Sequence, residues 1–151
     1  MHIHRSTVIA ASPEQVWPFL VSPEQMQQWC VTIKNLRYTS PQRRGMGTPF
    51  YFEEKAGGIL LKLHFVVTEW VLHERVAVKM TAGNFVKGYE QTYTLKAASS
   101  GTIVTITEHA RLPYGILGQV AGLLRRPRSE GHLEHMLAKL NSLVLASLPV
   151  S

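Results

Sequence analysis

Four polar side chains on two consecutive predicted strands could hold or react with a small molecule. Tyr89, Gln91 and Tyr93 share one face of a strand predicted over residues 86–96. Glu108 falls in the more apolar row of the strand that follows. A buried carboxyl must find a hydrogen-bonding partner or become neutral, so we expect Glu108 to bond a tyrosine or to reach water in a cavity.

These groups allow two interpretations. In the first, they line a cavity and orient the polar group of an otherwise apolar ligand. In a catalytic version of it, Glu108 is a base and Tyr89 or Tyr93 an acid beside a substrate carbonyl, although no catalytic residue follows from the sequence beyond these candidates. In the second, Glu108 lies in solvent near a strand end, and the tyrosines are core residues whose hydroxyls reach the rim.

Metal chemistry has little support in the sequence. His132 and His135 are three residues apart on a predicted helix, and His2 and His4 share a strand face, but neither pair has the third ligand that a stable zinc site needs. The lone Cys30 indicates a buried apolar thiol. No serine stands in a nucleophile-elbow context. We therefore predict neither a metal nor an obligatory cofactor.

The formal net charge is +6, and its densest cluster is the turn containing Arg125, Arg126 and Arg128. The cluster has no interleaved aromatic residues and matches no nucleic-acid motif, so a nucleic-acid partner is not expected. Transient contact of these three arginines with an anionic membrane remains an alternative. With 151 residues, no apolar run of roughly 18 residues and no secretory signal, the chain is expected to be one cytoplasmic domain, residues 1–151, as a monomer or homodimer.

The elements that must position these groups begin with a repeated tetrapeptide, Ser-Pro-Glu-Gln, at residues 12–15 and 22–25. In each copy Ser can cap a helix, Pro suits the first helical position, and Gln can close a capping box, which predicts two short helices. A strand over residues 2–10 precedes them. The strands expected after them cover residues 31–39, 50–54, 59–71, 76–81, 86–96 and 102–110. The tail predicts an amphipathic helix in two pieces, hinged at Pro127.

A single sheet of about seven antiparallel strands should curl around this last helix, which is its one large apolar partner. Alternate residues of a strand point to opposite faces of the sheet, and we assign the more apolar of the two sets to the concave face. Trp70 falls in the more polar row of its strand, on the convex side or at a twist. The side chains expected to contact a ligand are Trp29, Leu61, Leu63, Phe65, Val78, Met80, Tyr89, Gln91, Tyr93, Ile106, Glu108, Leu117, Met136 and Leu140.

The order of elements and several segments resemble a known family. The opening segment 11–20, the segment 26–29, the turn 45–48, the strand end 67–70 and the segment 100–105 look like landmarks of the polyketide cyclase/dehydrase and lipid-transport group of the START-like (SRPBCC) superfamily. The resemblance implies an α+β helix-grip fold, with a cavity between the curled sheet and the C-terminal helix.

What the resemblance implies about function is binding or transport of a small hydrophobic ligand such as a lipid, an isoprenoid or quinone, or a polyketide. The first alternative is a polyketide cyclase or dehydratase, an aromatase/cyclase-like lyase that uses Glu108 with Tyr89 or Tyr93. The second is an interaction protein with a filled core, which contacts its partner through its surface.

Overall fold

The structure, a computed structural model, describes residues 2–56, 58–111 and 115–149, and for residues 56 and 115–130 it describes the backbone alone. The elements follow the expected order. They are β1 (His2–Ile9), α1 (Pro13–Val21), α2 (Pro23–Trp29), β2 (Ile33–Tyr38), β3 (Pro49–Ala56), β4 (Ile59–Val71), β5 (Arg75–Gly83), β6 (Gly88–Ala98), β7 (Gly101–Arg111) and α3 (Gly115–Ser147).

The seven strands form one antiparallel sheet in the order β1-β7-β6-β5-β4-β3-β2. Strands β2 to β7 are a meander in which each pairs with the next. The helix pair α1–α2 stands between β1 and β2, so β1 pairs instead with β7 at the far edge. The sheet curls around the helices, which gives the predicted α+β helix-grip fold.

The start of α1 is the capping box that the first tetrapeptide predicts. The Ser12 hydroxyl accepts a hydrogen bond from the Gln15 backbone N–H, and the Gln15 side chain accepts one from the Ser12 N–H. The second copy differs. Ser22 begins α2 but makes no side-chain cap, because its hydroxyl donates to the Glu24 carboxylate instead.

The C-terminal helix corrects the predicted hinge. One helix, α3, runs from Gly115 to Ser147 and passes through Pro127 without an interruption. A proline inside a helix removes one backbone hydrogen bond, which a long helix with many remaining bonds tolerates. The side chains of Arg125, Arg126 and Arg128, for which membrane contact was predicted, lie outside the described residues.

The core lies between the concave face of the sheet and the three helices. From α1 and α2 it takes Val16, Trp17, Phe19, Leu20 and Trp29, and from α3 it takes Leu133, Met136, Leu137, Leu140 and Val144. A second cluster, which contains Phe52, Leu63 and Phe65, lies on β3 and β4. Each fully buried side chain of this size stabilises the fold by about 1.5 to 3 kcal/mol.

Candidate functional site

The register between β6 and β7 brings together the polar groups that sequence analysis singled out. Gln91 lies directly opposite Glu108, and its Nε2 donates a hydrogen bond of 2.7 Å to Glu108 Oε1. The Tyr93 hydroxyl donates to Gln91 Oε1 over 2.6 Å. The Tyr89 hydroxyl is a further hydrogen-bonding group at the Glu108 carboxyl. These side chains therefore form a hydrogen-bonded polar network on the concave side of two adjacent strands, which we call the polar chain.

Burial governs the protonation of this chain. It raises the pKa of the Glu108 carboxyl above its ordinary value, while the hydrogen bonds from Tyr89 and Gln91 and the charge of His132 oppose the rise. Burial also raises the pKa values of Tyr89 and Tyr93 well above their ordinary range, and the nearby Glu108 charge adds to both. Both tyrosines are hydrogen-bond donors at neutral pH.

A second carboxyl, Glu54, was not anticipated from the sequence. The Thr32 hydroxyl donates to Glu54 Oε1 over 3.2 Å and lies 3.4 Å from His132 Nε2 on α3. The Thr32 hydroxyl therefore links the Glu54 carboxyl of β3 to the His132 ring of α3. A signal was present in the sequence: Phe50, Phe52 and Glu54 alternate along β3, so they share a face.

The two carboxyls interact across the curled sheet. Burial raises the pKa of Glu54, and the charge of Glu108 raises it further, although Glu54 lies on β3 and Glu108 on β7. Cys30 is buried at the end of α2, and its pKa is raised by burial and by the charges of both glutamates. Curling of the sheet therefore gathers Cys30, Glu54 and Glu108 into one interior region that α3 covers through His132.

An apolar cavity adjoins the polar chain and opens beneath the N-terminal helices. It has about 70 Å³ of room for water-sized molecules, and about 730 Å³ of empty space when the gaps between its lining atoms and its opening are counted. Its described lining residues are Leu20, Val21, Pro23, Met26, Ile33, Leu36, Tyr38, Arg43, Thr48, Phe50, Phe52, Phe65, Val67, Trp70, Val76, Val78, Gln91 and Tyr93. Gln91 and Tyr93 join this cavity to Glu108.

The described lining of the cavity comes from α1, α2, the β2–β3 connection and strands β2 to β6. The sequence predicts a cavity between the sheet and the C-terminal helix, and the side chains of α3 at residues 115–130 lie outside the described residues. Among the described side chains of α3, the apolar ones at Leu133, Met136, Leu137 and Leu140 are buried in the core. This described part of α3 therefore contributes to the core and not to the described lining.

The residues predicted to bind a ligand fall into three groups. Phe65, Val78, Gln91 and Tyr93 line the cavity. Four others pack in or against the second cluster: Leu61, Leu63, Met80 and Tyr89. A third group, Trp29, Ile106, Met136 and Leu140, belongs to the main core. Glu108 is bonded to the Gln91 side chain, and the Leu117 side chain lies outside the described residues.

Two tryptophans have defined places in the structure. Trp29, which is expected to contact a ligand, is completely buried, with its indole N–H donating to the Phe19 carbonyl oxygen over 2.8 Å, so it is a core residue. Trp70 lines the cavity and meets Trp17 edge to face at 5.2 Å. A β-bulge between Val67 and Glu69 shifts the alternation by one residue and turns Trp70 to the concave side.

Within the described residues, no three His, Cys, Asp or Glu side chains come together in a way that could hold a metal ion. In the same part of the chain, no helix is long and apolar enough to cross a membrane. The described site therefore consists of an apolar cavity wall that contains the Gln91 amide and the Tyr93 phenol. The carboxyls of Glu108 and Glu54 lie behind these two groups.

Comparison with known proteins agrees with this architecture. The sequence profile of a family described as polyketide cyclase / dehydrase and lipid transport matches residues 1–145. The chain belongs to this family. One relative, an uncharacterized protein of Mycobacterium tuberculosis, is 28% identical over 114 residues, which are 74% of this chain and 66% of that protein. The matched part is thus just under two thirds of the relative's length.

Solved structures share the fold of this family member. A crystal structure of a Thermus thermophilus protein has a TM-score of 0.83 at 22% identity and covers 99% of this chain and 100% of its own. A START superfamily protein from Mycobacterium smegmatis has a TM-score of 0.73 at 16% identity, over 97% of this chain and 99% of its own. These likenesses identify a START-like (SRPBCC) fold.

Proposed function

We propose that this protein binds and carries, or senses, a small hydrophobic molecule that bears an uncharged hydrogen-bonding group. The observation that carries the proposal is the apolar cavity with Gln91 and Tyr93 in its wall. Ligand sites are typically apolar concavities with a few placed polar groups, and this one has that composition. Membership of a family whose description includes lipid transport supports the same role.

Gln91 and Tyr93 can serve a ligand because their bonds leave capacity unused. The Tyr93 oxygen donates its proton to Gln91 and keeps lone pairs that can accept a bond from a ligand hydroxyl. The narrow room of about 70 Å³ favours a slim ligand, whose entry requires lining side chains to move. Met26, a flexible half-buried residue in the lining, is well suited to that movement.

The acid–base alternative has weaker support. A general acid or base works best when its pKa lies near the operating pH. Burial raises the pKa of the candidate base Glu108 toward neutrality, but it raises the pKa values of the candidate acids Tyr89 and Tyr93 well away from it. Glu108 is already bonded to Gln91, which stands between it and the cavity. The filled-core alternative is disfavoured by the cavity itself.

The first experiment is native mass spectrometry of the purified protein, with organic extraction and mass analysis of any adduct. A lipid, quinone or polyketide-sized adduct would support the proposal and name the ligand class. It is paired with uptake of the neutral apolar dye N-phenyl-1-naphthylamine. A Val78→Trp variant should lose dye uptake because Val78 lines the cavity, while Lys79→Trp, on the outer face one residue later, should keep it.

The outcome that overturns the proposal is specific. If the wild-type protein carries no adduct and takes up no dye, the cavity does not bind apolar molecules. If Val78→Trp folds, as judged by its circular dichroism and melting curve, and takes up dye like Lys79→Trp, the bound dye lies elsewhere.

A further inference from the structure

The charge at the mouth of the cavity differs from the charge behind its inner wall. Arg43 is exposed on the β2–β3 connection and is the one charged side chain among the described lining residues. The inner wall contains Gln91 and Tyr93, behind which stand the carboxyls of Glu108 and Glu54. A ligand in the cavity therefore meets Arg43 at the outside, within electrostatic reach of the exposed Glu24 carboxylate, and two buried carboxyls at the inside.

Arg43 is held in place at this mouth. Its guanidinium lies 4.6 Å from the centre of the Tyr38 ring, and Tyr38 also lines the cavity. A guanidinium that stacks flat on a ring keeps its N–H edge available. That edge carries parallel donors which match the two oxygens of a carboxylate. The contact with Tyr38 thus pre-positions a carboxylate-binding group.

The inner end is unfavourable for an anion. Glu108 and Glu54 already act on each other, since the charge of Glu108 raises the pKa of Glu54. A third negative charge brought beside them in a low-dielectric interior would be repelled by any fraction of either that is ionised. An anionic group on the ligand must therefore remain at the mouth, and only its uncharged part can pass inward.

We infer that the ligand is an amphipathic monocarboxylate: its carboxylate binds Arg43 at the cavity mouth, its apolar part extends toward Phe50, Phe65 and Val78, and the carboxylate is separate from the uncharged group that meets the inner wall. This inference rests on the proposed function and adds to it the charge and the orientation of the ligand. The neighbouring Arg44 is also exposed but is absent from the described lining, so it supplies a matched control of equal charge.

The test measures displacement of N-phenyl-1-naphthylamine by dodecanoate and by dodecanol, which have chains of equal length. The wild-type protein should favour dodecanoate, because a hydrogen bond to a charged group adds roughly tenfold to affinity even after allowance for exposure. Arg43→Gln should lower the dodecanoate-to-dodecanol affinity ratio by about that factor, and Arg44→Gln should keep the wild-type ratio. Added salt should reduce the wild-type preference, because Arg43 is exposed.

The inference and the proposed function fail in different ways. Equal affinities of the wild-type protein for dodecanoate and dodecanol, or equal ratios in the two arginine variants, would overturn the carboxylate inference and leave apolar binding intact. If the wild-type protein binds neither the dye nor either dodecyl compound, both the inference and the proposed function fail.

Discussion

Gln91 and Glu108 are direct partners across β6 and β7, joined by a hydrogen bond of 2.7 Å from the amide to the carboxyl. The same amide accepts the Tyr93 hydroxyl proton through its oxygen. Because the oxygen and the nitrogen of the amide have different partners, its orientation is fixed. Gln91 thereby connects the cavity wall to a carboxyl that is not part of the described lining.

Replacing Gln91 with leucine should raise the pKa of Glu108 further. The Gln91 bond stabilises the ionised carboxylate, and leucine cannot donate in its place. The loss of a buried donor to a charged group should also lower the free energy of unfolding at neutral pH by about 1 to 3 kcal/mol. The pKa is measured by carbon-13 NMR titration of the glutamate carboxyls, and stability by urea unfolding. Tyr93→Phe keeps the Gln91–Glu108 bond, so an equal pKa change in that variant would contradict the assignment.

Glu54→Gln should make the free energy of unfolding less sensitive to rising pH. The unfolded chain releases the Glu54 proton near the ordinary pKa of 4.5, whereas burial holds that proton in the folded state to higher pH. Within this window the folded state binds more protons, so the free energy of unfolding falls as pH rises. Glutamine still accepts the Thr32 bond and does not titrate. The free energy of unfolding of the variant should therefore match that of the wild type below pH 4.5 and exceed it by an amount that grows with pH until Glu54 of the folded wild type has lost its proton.

Urea unfolding across that range measures the difference. Glu53→Gln, one residue earlier on the opposite face of β3, is the matched control. If it produced the same pH-dependent gain as Glu54→Gln, burial of Glu54 would not be the cause.

The two capping serines should differ in their contribution to stability. Ser12→Ala removes the hydroxyl that accepts the Gln15 N–H and should cost about 1 kcal/mol. Ser22→Ala removes no such bond and should cost less, since its hydroxyl contacts only the Glu24 side chain among the described bonds. Thermal and urea unfolding of both variants check this order. Equal losses would mean that the Ser12 cap contributes little.

Gly101→Ala should destabilise the protein strongly. Gly101 has a φ of +137°, and a Cβ at this position would overlap the Ile9 carbonyl oxygen and lie 2.9 Å from the Ala10 Cα, both of which are backbone atoms that cannot move aside easily. Gly131→Ala is the control, because a Cβ at that position meets nothing within 4 Å. Gly131 lies on α3, where alanine should raise the free energy of unfolding by about 0.5 to 1 kcal/mol. Soluble yield and melting temperature measure both. A Gly101→Ala protein that melts with the wild type would contradict the predicted backbone clash.

Local patterns in the sequence were sufficient for the elements and for much of the strand orientation. Alternation predicted the inward row of β4 through Leu63, Phe65 and Val67, and the tetrapeptide predicted the start of α1 with its capping box. These features depend on neighbours within a few residues, which a sequence displays directly. The order of the elements then predicted one antiparallel sheet curled around the last helix, and the resemblance to a known family implied the helix-grip fold.

What only the tertiary structure decided depends on residues far apart in the chain. A bulge in β4 turned Trp70 into the cavity, and no residue type in the sequence marks where the register shifts. Curling of the sheet brought Glu54 within the electrostatic reach of Glu108, and it placed residues of the short helices and of strands β2 to β6 around one cavity. The sequence by itself determined the elements, their order and the inward faces; the position of the cavity and its charges depended on how the sheet curls and how the helices fill it.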